Sequence, residues 1–229
     1  PTPGFKAAVR ARIPEVRKVI AETETMLIKN RIFLDRTQGV GILTKSRAIE
    51  LGCTGVIGRA AGIPYDVRKD NPYLVYGELD FEVPVGQDGD NWDRFMCRFE
   101  EVHQSLRILE QCLDKMPDSG PVSVTDPRIT LPPKSEVYST IEGTIAHFKL
   151  IMEGVKPPKG EVYSFTEAGN GELGFFIVSD GSGTPYRIRV RPPCWFNLQA
   201  VREMVMGDMI ADIIPTFGSI NMIGGECDR

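Results

Sequence analysis

The sequence predicts an α+β fold, mainly helical, in which long helices accompany a small antiparallel β-hairpin sheet. Three patterns carry that expectation. Phe95, Phe99, Val102, Leu106, Leu109, Leu113 and Met116 recur in steps of three and four, the spacing of one face of a long amphipathic helix. Tyr138, Ile141, Ile145, Phe148 and Met152 repeat that spacing and predict a second helix of about five turns. The period then changes to two around Gly169-Asn-Gly171, a hairpin signal between Glu161 to Thr166 and Leu173 to Ser179. With 229 residues, 41% apolar and 25% charged, the chain is long enough to build a real core. A single domain over 1–229 is expected: a helical core to about residue 155, a hairpin region at about 160–192, and C-terminal helices and tail over 195–229.

Taken in order, Val9, Ile13, Val16, Ile20 and Leu27 predict a helix over residues 5–30, with Pro14 kinking it or marking its start. Residues 37–44 read as a turn leading into a short element, and residues 52–90 as a loop region punctuated by Gly and Pro. Asp90 or Asn91 caps the long helix, which closes before Pro117. The Pro-rich stretch 117–133 connects it to the second long helix. Their matching seams predict that the two pack against each other as the core. A third strand follows Gly181-Ser-Gly183, with Tyr186, Ile188 and Val190 on one side and Arg187, Arg189 and Arg191 on the other. That arginine row is either a solvated face or a dock for an acidic partner surface. Helices are expected again from Phe196 to Met206 and from Met209 to Thr216.

Composition narrows the function. A net charge of −4 gives no nucleic-acid footprint, so no nucleic-acid partner is expected. The longest apolar runs, Leu173 to Val178 and Met209 to Ile214, are far short of a membrane span, which leaves membrane association to partners. The first residues lack a basic start followed by an apolar stretch, so no signal peptide is expected. Five cysteines without a Cys-x-x-Cys pair and two isolated histidines, His103 and His147, predict no metal ligand set. Gly39-x-Gly41 and Gly52-x-x-Gly55 fall short of a dinucleotide or phosphate loop and read as turns, so no NAD is expected on this chain. Asp88 to Asp93 reads as a helix-capping turn and not a calcium loop. No serine occupies a nucleophile elbow, and no catalytic residue is assigned. Arg59, Asp66, Arg68, Lys69 and Asp70 concentrate charge in a Gly-rich, apolar-flanked loop. Buried ion pairs and contacts with a neighbouring subunit account for it equally well.

Longer stretches carry a resemblance. Lys29 to Gly41, Gly52-x-Thr-Gly-x-x-x-Arg59-x-x-Gly62-x-x-x-Asp66-x-Arg68-Lys69, Tyr76 to Val85, and Cys97-Arg98-x-Glu100-Glu101 with Gln104 to Arg107 resemble the 49 kDa subunit of respiratory complex I. So do Cys112-x-x-Lys115-Met116-Pro117, Val178 to Ser182, Pro185 to Arg187 and the closing Gly225-Glu-x-Asp-Arg229. The match covers essentially the whole chain and corresponds to the family's C-terminal portion. The His-bearing loop and the tyrosine that meet the quinone headgroup in the family are not part of it.

The resemblance implies a fold like the large subunit of nickel–iron hydrogenases. Ile223 and Glu226 stand where that enzyme's C-terminal pair of nickel-binding cysteines would be, and they cannot replace thiolates. The family uses the vacated pocket for quinone, so Ile223 and Met222 are the expected quinone-binding residues, with simple core packing as the other reading of Ile223. Cys227 has no second cysteine beside it and does not restore a metal site. By the same resemblance the chain belongs to the peripheral arm of a proton-translocating NADH:quinone oxidoreductase, on the cytoplasmic side of an energy-transducing membrane. Iron–sulfur clusters sit in partner subunits, membrane-arm subunits complete the assembly, and the isolated chain is expected to be inactive. A purely structural assembly module, a subunit of a ferredoxin- or F420-dependent dehydrogenase, and a true hydrogenase subunit are the rival expectations.

Overall fold

The computed structural model describes residues 4–121 and 123–228. Its backbone divides into two compact units: residues 1–116, 165–174 and 191–229 form the first, and residues 117–164 and 175–190 the second. Helices dominate, and among the described residues one sheet has three strands in the order β1-β2-β3. The α+β, mainly helical class expected from the sequence is what the structure shows.

In the first unit, α1 (Phe5–Ile28) runs without interruption past Pro14, which therefore does not mark its start. Short helices follow: α2 (Arg31–Asp35), α3 (Lys45–Glu50), α4 (Val56–Ala60) and α5 (Val67–Asp70). Side-chain caps set the beginnings of three of them. Asn30 accepts from the Ile32 and Phe33 amides, Thr44 from Arg47 and Asp66 from Arg68. The long helix α6 (Asn91–Lys115) starts where the sequence indicates, because the Asp90 carboxylate accepts from the Asp93 amide at 2.8 Å.

α6 packs within the first unit. Its neighbours are α1, α4 and a C-terminal helix, α11 (Ile213–Ile220), whereas the run at 138–152 belongs to the second unit. Leu106 and Leu113 bury against Ile13, and Cys97 against Val56 and Ala60. In the first turns of α6, however, the buried side chains are Asn91 and Arg94, while Phe95 and Phe99 are half-buried and Val102 and Leu109 exposed. Arg94 goes inward because its guanidinium finds fixed acceptors there. It donates to the Gly41 and Gly89 carbonyls at 2.6 and 2.7 Å, to Asn91 Oδ1 at 2.6 Å and to Ser219 Oγ at 2.8 Å. Burial with no carboxylate in that set pulls its pKa down to about 10.

The apolar centre of this unit joins Leu43, Ala48, Cys53, Ile57 and Ala61 to Ala200, Met204 and Ile220. Met204 and Ile220 come from α10 (Val201–Val205) and α11, and Ala200 precedes α10 at the end of α9 (Pro193–Gln199). A final short helix, α12 (Gly224–Cys227), lies at the end of the described residues.

In the second unit the expected five-turn helix is two helices, α7 (Lys134–Ser139) and α8 (Ile141–Met152). Thr140 breaks the run. Its backbone is extended, and its hydroxyl accepts from the Gly143 amide at 3.0 Å, so a cap forms where the spacing suggested continuity. α7 and α8 pack against each other, and Tyr138, Ile141, Ile145, Phe148 and Met152 are all exposed.

β1 (Gly160–Ala168) and β2 (Gly171–Ser179) form the hairpin the sequence indicated, and β3 (Arg187–Arg191) pairs with β2. Arg187 and Arg189 are exposed, but Arg191 is tied in. Its guanidinium donates to the carbonyls of Glu172 and Gly52 at 2.8 and 2.9 Å and lies 4.7 Å from the centre of the Phe196 ring.

Candidate functional site

The C-terminal tail is built on a buried polar node. Helix α11 ends at Asn221, which adopts the left-handed conformation (φ 56°, ψ 47°) that asparagine tolerates better than most residues. This turns the chain so that Met222 packs against the apolar centre and Ile223 stands at the N-cap of α12. Three bonds converge beside it. The Ile223 amide donates to Cys194 Sγ at 3.4 Å, Asn170 Nδ2 donates to the same sulfur at 3.2 Å, and Asn221 Nδ2 donates to Asn170 Oδ1 at 3.2 Å. Burial, reinforced by the Glu226 carboxylate, pushes the Cys194 thiol up to about 11, so it serves as a neutral acceptor.

Asn170 is the residue that sequence reasoning missed. It sits at the tip of the β1–β2 hairpin, where turns ordinarily face water. Here it is only 5% exposed. Asn197 Nδ2 donates to its carbonyl at 3.1 Å, while the Asn197 side-chain oxygen accepts from the Thr54 amide at 3.3 Å. The only local hint is Gly-Asn-Gly, which specifies the turn but not what surrounds it.

Ile223 is 50% exposed and Met222 half-buried, so the tail presents an exposed aliphatic side chain on a backbone tied to Cys194 Sγ. Glu226 does not complete a metal site there. Its Oε2 accepts from the Cys194 amide at 2.9 Å, and Ile223 offers no donor atom, so this pair does not suit nickel. Arg229, at the end of the expected wall, lies outside the described residues.

The charge cluster is a separate, buried network. Arg59 is 2% exposed. Its Nε donates to Glu101 at 2.7 Å, and its Nη1 to Glu167 at 2.8 Å and to the Tyr65 carbonyl at 3.0 Å. Asp66 lies 3.8 Å from Arg59 and takes two bonds from the Arg68 guanidinium, at 3.0 and 2.6 Å. That guanidinium stands 5.1 Å from the centre of the Phe81 ring. Burial would raise the Asp66 pKa, but bonding to Arg68 and the charge of Arg59 hold it below the usual aspartate value. Burial wins at Glu167, whose pKa stands above the usual glutamate value despite Arg59. Arg59, Asp66 and Arg68 thus share one cluster, while Met222 and Ile223 belong to the tail node.

Comparison with known proteins decides the family. Residues 1–229, the whole chain, match the model of the respiratory-chain NADH dehydrogenase 49 kDa subunit. The chain belongs to that family. Among its relatives, an NADH-quinone oxidoreductase D-type subunit of Sorangium cellulosum (strain So ce56) is 60% identical over 229 residues, which is 100% of this chain and 57% of the relative. The corresponding protein of Myxococcus xanthus (strain DK1622) is 53% identical over 224 residues, 95% of this chain and 54% of its own. That of Leptospira biflexa serovar Patoc is 47% identical over 226 residues, 99% of this chain and 55% of its own. The chain therefore spans about half the length of the relatives it matches. As a 49 kDa subunit family member it has, among its described residues, no helix long and apolar enough to cross a membrane.

Proposed function

We propose that this chain forms the C-terminal portion of the quinone-facing peripheral-arm subunit of a proton-translocating NADH:quinone oxidoreductase. The observation that carries this is the match of the whole chain, at 60% identity, to a relative named as a subunit of NADH-quinone oxidoreductase. In this reading NADH-derived electrons arrive through iron–sulfur clusters of partner subunits, on the cytoplasmic side of the membrane. Membrane-arm subunits couple quinone reduction to proton movement, and this chain docks to its partners through its own surfaces.

Its own residues supply one wall of the quinone site. Met222 packs against the core, the Ile223 amide donates to Cys194 Sγ, and Asn170 donates to the same sulfur. Ile223 is thereby fixed with half its surface open, an apolar contact for a quinone ring or its first isoprenoid units. Glu226, beside it, is engaged with the Cys194 amide. The role proposed for this wall is to bind and orient.

Ile223→Met in the assembled complex tests this reading. The longer side chain is expected to raise the KM for a short-chain quinone about three- to ten-fold, an effect of ~1 kcal/mol. Reduction of an artificial acceptor that bypasses the quinone site should stay unchanged. Unaltered quinone KM and inhibitor sensitivity would instead make the chain a structural assembly module.

A further inference from the structure

A cleft of about 450 Å³ opens between α2, the start of α6 and the end of α11. Phe33 and Phe95, packed edge to face with ring centres 4.8 Å apart, form one wall, and Pro215 and Gly218 of α11 form another. Arg98 of α6 completes this part of the lining.

The charge of Arg98 is unmatched. The residue is half-buried, yet its one hydrogen bond among the described residues runs from Nη1 to the Arg94 carbonyl one turn back, at 3.1 Å. Among the described residues no carboxylate oxygen lies within 4 Å of it, whereas Arg59, Arg68 and Arg191 each have one. Arg94 also lacks an acid, but two backbone carbonyls, Asn91 and Ser219 fill its donors. Burial holds the Arg98 pKa below the ordinary arginine value, although Glu101 pulls the other way. A guanidinium withdrawn from water is costly until an acid meets it, and a carboxylate can take two parallel bonds from its fork of donors.

The surroundings point to a polypeptide as the source of that carboxylate. Apolar surface continues beyond the cleft on both sides. Ile32 of α2 is 75% exposed, Ile214 and Phe217 show on α11, and Ile210 just before that helix is 87% exposed. An arginine and aromatic rings at the centre of a broad apolar border are the composition of a protein interface. A small acid would pair with Arg98 and still leave that border in water.

We propose that this cleft is a docking site for a protein segment carrying an Asp or Glu next to an apolar side chain. The carboxylate pairs with Arg98, and the apolar neighbour lies against Ile214 and Phe217. The inference rests on the assembly of this chain with partner subunits and not on the quinone wall, so an unmoved KM in Ile223→Met leaves it standing.

The test uses the assembled complex and two substitutions. In Arg98→Lys the new amine comes within reach of the proposed carboxylate. A water-soluble carbodiimide should join the two as an amide, taking up the water lost. Mass spectrometry should then find position 98 bonded to an Asp or Glu outside residues 1–229. A bond to Glu101 alone, or none, overturns the inference. Arg98→Met should weaken retention of the chain in the complex at least about ten-fold, read by gel filtration across a dilution series, the loss of a charge-assisted pair. The melting midpoint of the 229-residue chain alone should not fall, because the substitution removes a charge that has no acid there. A midpoint that falls along with retention would make Arg98 a support of the chain's own fold and overturn the docking site. Binding of the chain alone to phosphatidylglycerol vesicles that Arg98→Met abolishes, with no cross-link in the complex, would replace the protein segment by a lipid surface.

Discussion

Arg59→Met is expected to lower the stability of this chain by about 3–5 kcal/mol, the scale for breaking a buried ion pair from one side. For a chain of this size each kcal/mol moves Tm by roughly 2–4 °C, so the midpoint should drop by roughly 10 °C. The cost comes less from the lost attraction than from the charges left behind. Glu167 loses the guanidinium at 2.8 Å and keeps, among the described residues, the Val67 amide at 3.2 Å, and Glu101 loses its bond at 2.7 Å. Asp66 retains Arg68 and suffers less. The pH dependence distinguishes this account from simple loss of packing. Burial already raises the Glu167 pKa above 4.5 in the presence of Arg59, and without that neighbour it must rise further. An acid with a raised folded pKa contributes stability below its unfolded value, and that stability is lost as pH rises through the folded value. The deficit of Arg59→Met should therefore be narrow near pH 4.5 and wide at pH 7.5, as read from urea midpoints at each pH. Adding Glu167→Gln should recover part of the neutral-pH loss. A deficit independent of pH, or no rescue by that second substitution, would overturn the charge explanation.

Much of the fold is legible in the sequence because its signals are local. The Asp90 cap, the stop before Pro117 and the Gly-Asn-Gly hairpin each depend on residues within a few positions of one another. Thr140 shows where spacing misleads. One hydroxyl capping the Gly143 amide outweighs an apolar run that reads as continuous, and the expected seam ends up exposed. Arg94 and Asn170 were not legible at all, since their partners lie far away in sequence: Ser219 for Arg94, Cys194 and Asn221 for Asn170. Periodicity reports which face is apolar, and it carries no record of where a distant carbonyl or sulfur will stand. Ile223 and Met222 were singled out by family resemblance alone, because an aliphatic pair in a tail has no distinguishing local pattern.

Gly55→Ala is expected to cost about 3–5 kcal/mol, and the reason lies at the foot of the candidate site. Gly55 adopts φ 67° and ψ −148°, a conformation nearly closed to residues with a Cβ, at about 1–3 kcal/mol of strain. A Cβ there would stand 2.5 Å from the Asn170 carbonyl oxygen and 2.6 Å from Gly171 Cα, both backbone atoms that cannot rotate away. Overpacking of this kind adds about 1–3 kcal/mol. Gly52 supplies the control. It has almost the same φ, 68°, but its Cβ would meet only the Phe196 ring, at 3.4 Å, so Gly52→Ala should cost only about 1–2 kcal/mol. The difference between the two variants isolates the close crossing of the chain at Gly55 with the hairpin tip. Moving that tip also moves Asn170, which supports both Cys194 and Asn221. Hydrogen exchange at the Ile223 amide, bonded to Cys194 Sγ at 3.4 Å, should therefore quicken in Gly55→Ala beyond the global loss of stability, and should track that loss alone in Gly52→Ala. Equal costs for the two substitutions, or an Ile223 amide that exchanges only with global unfolding in both, would show that the hairpin tip does not support the tail.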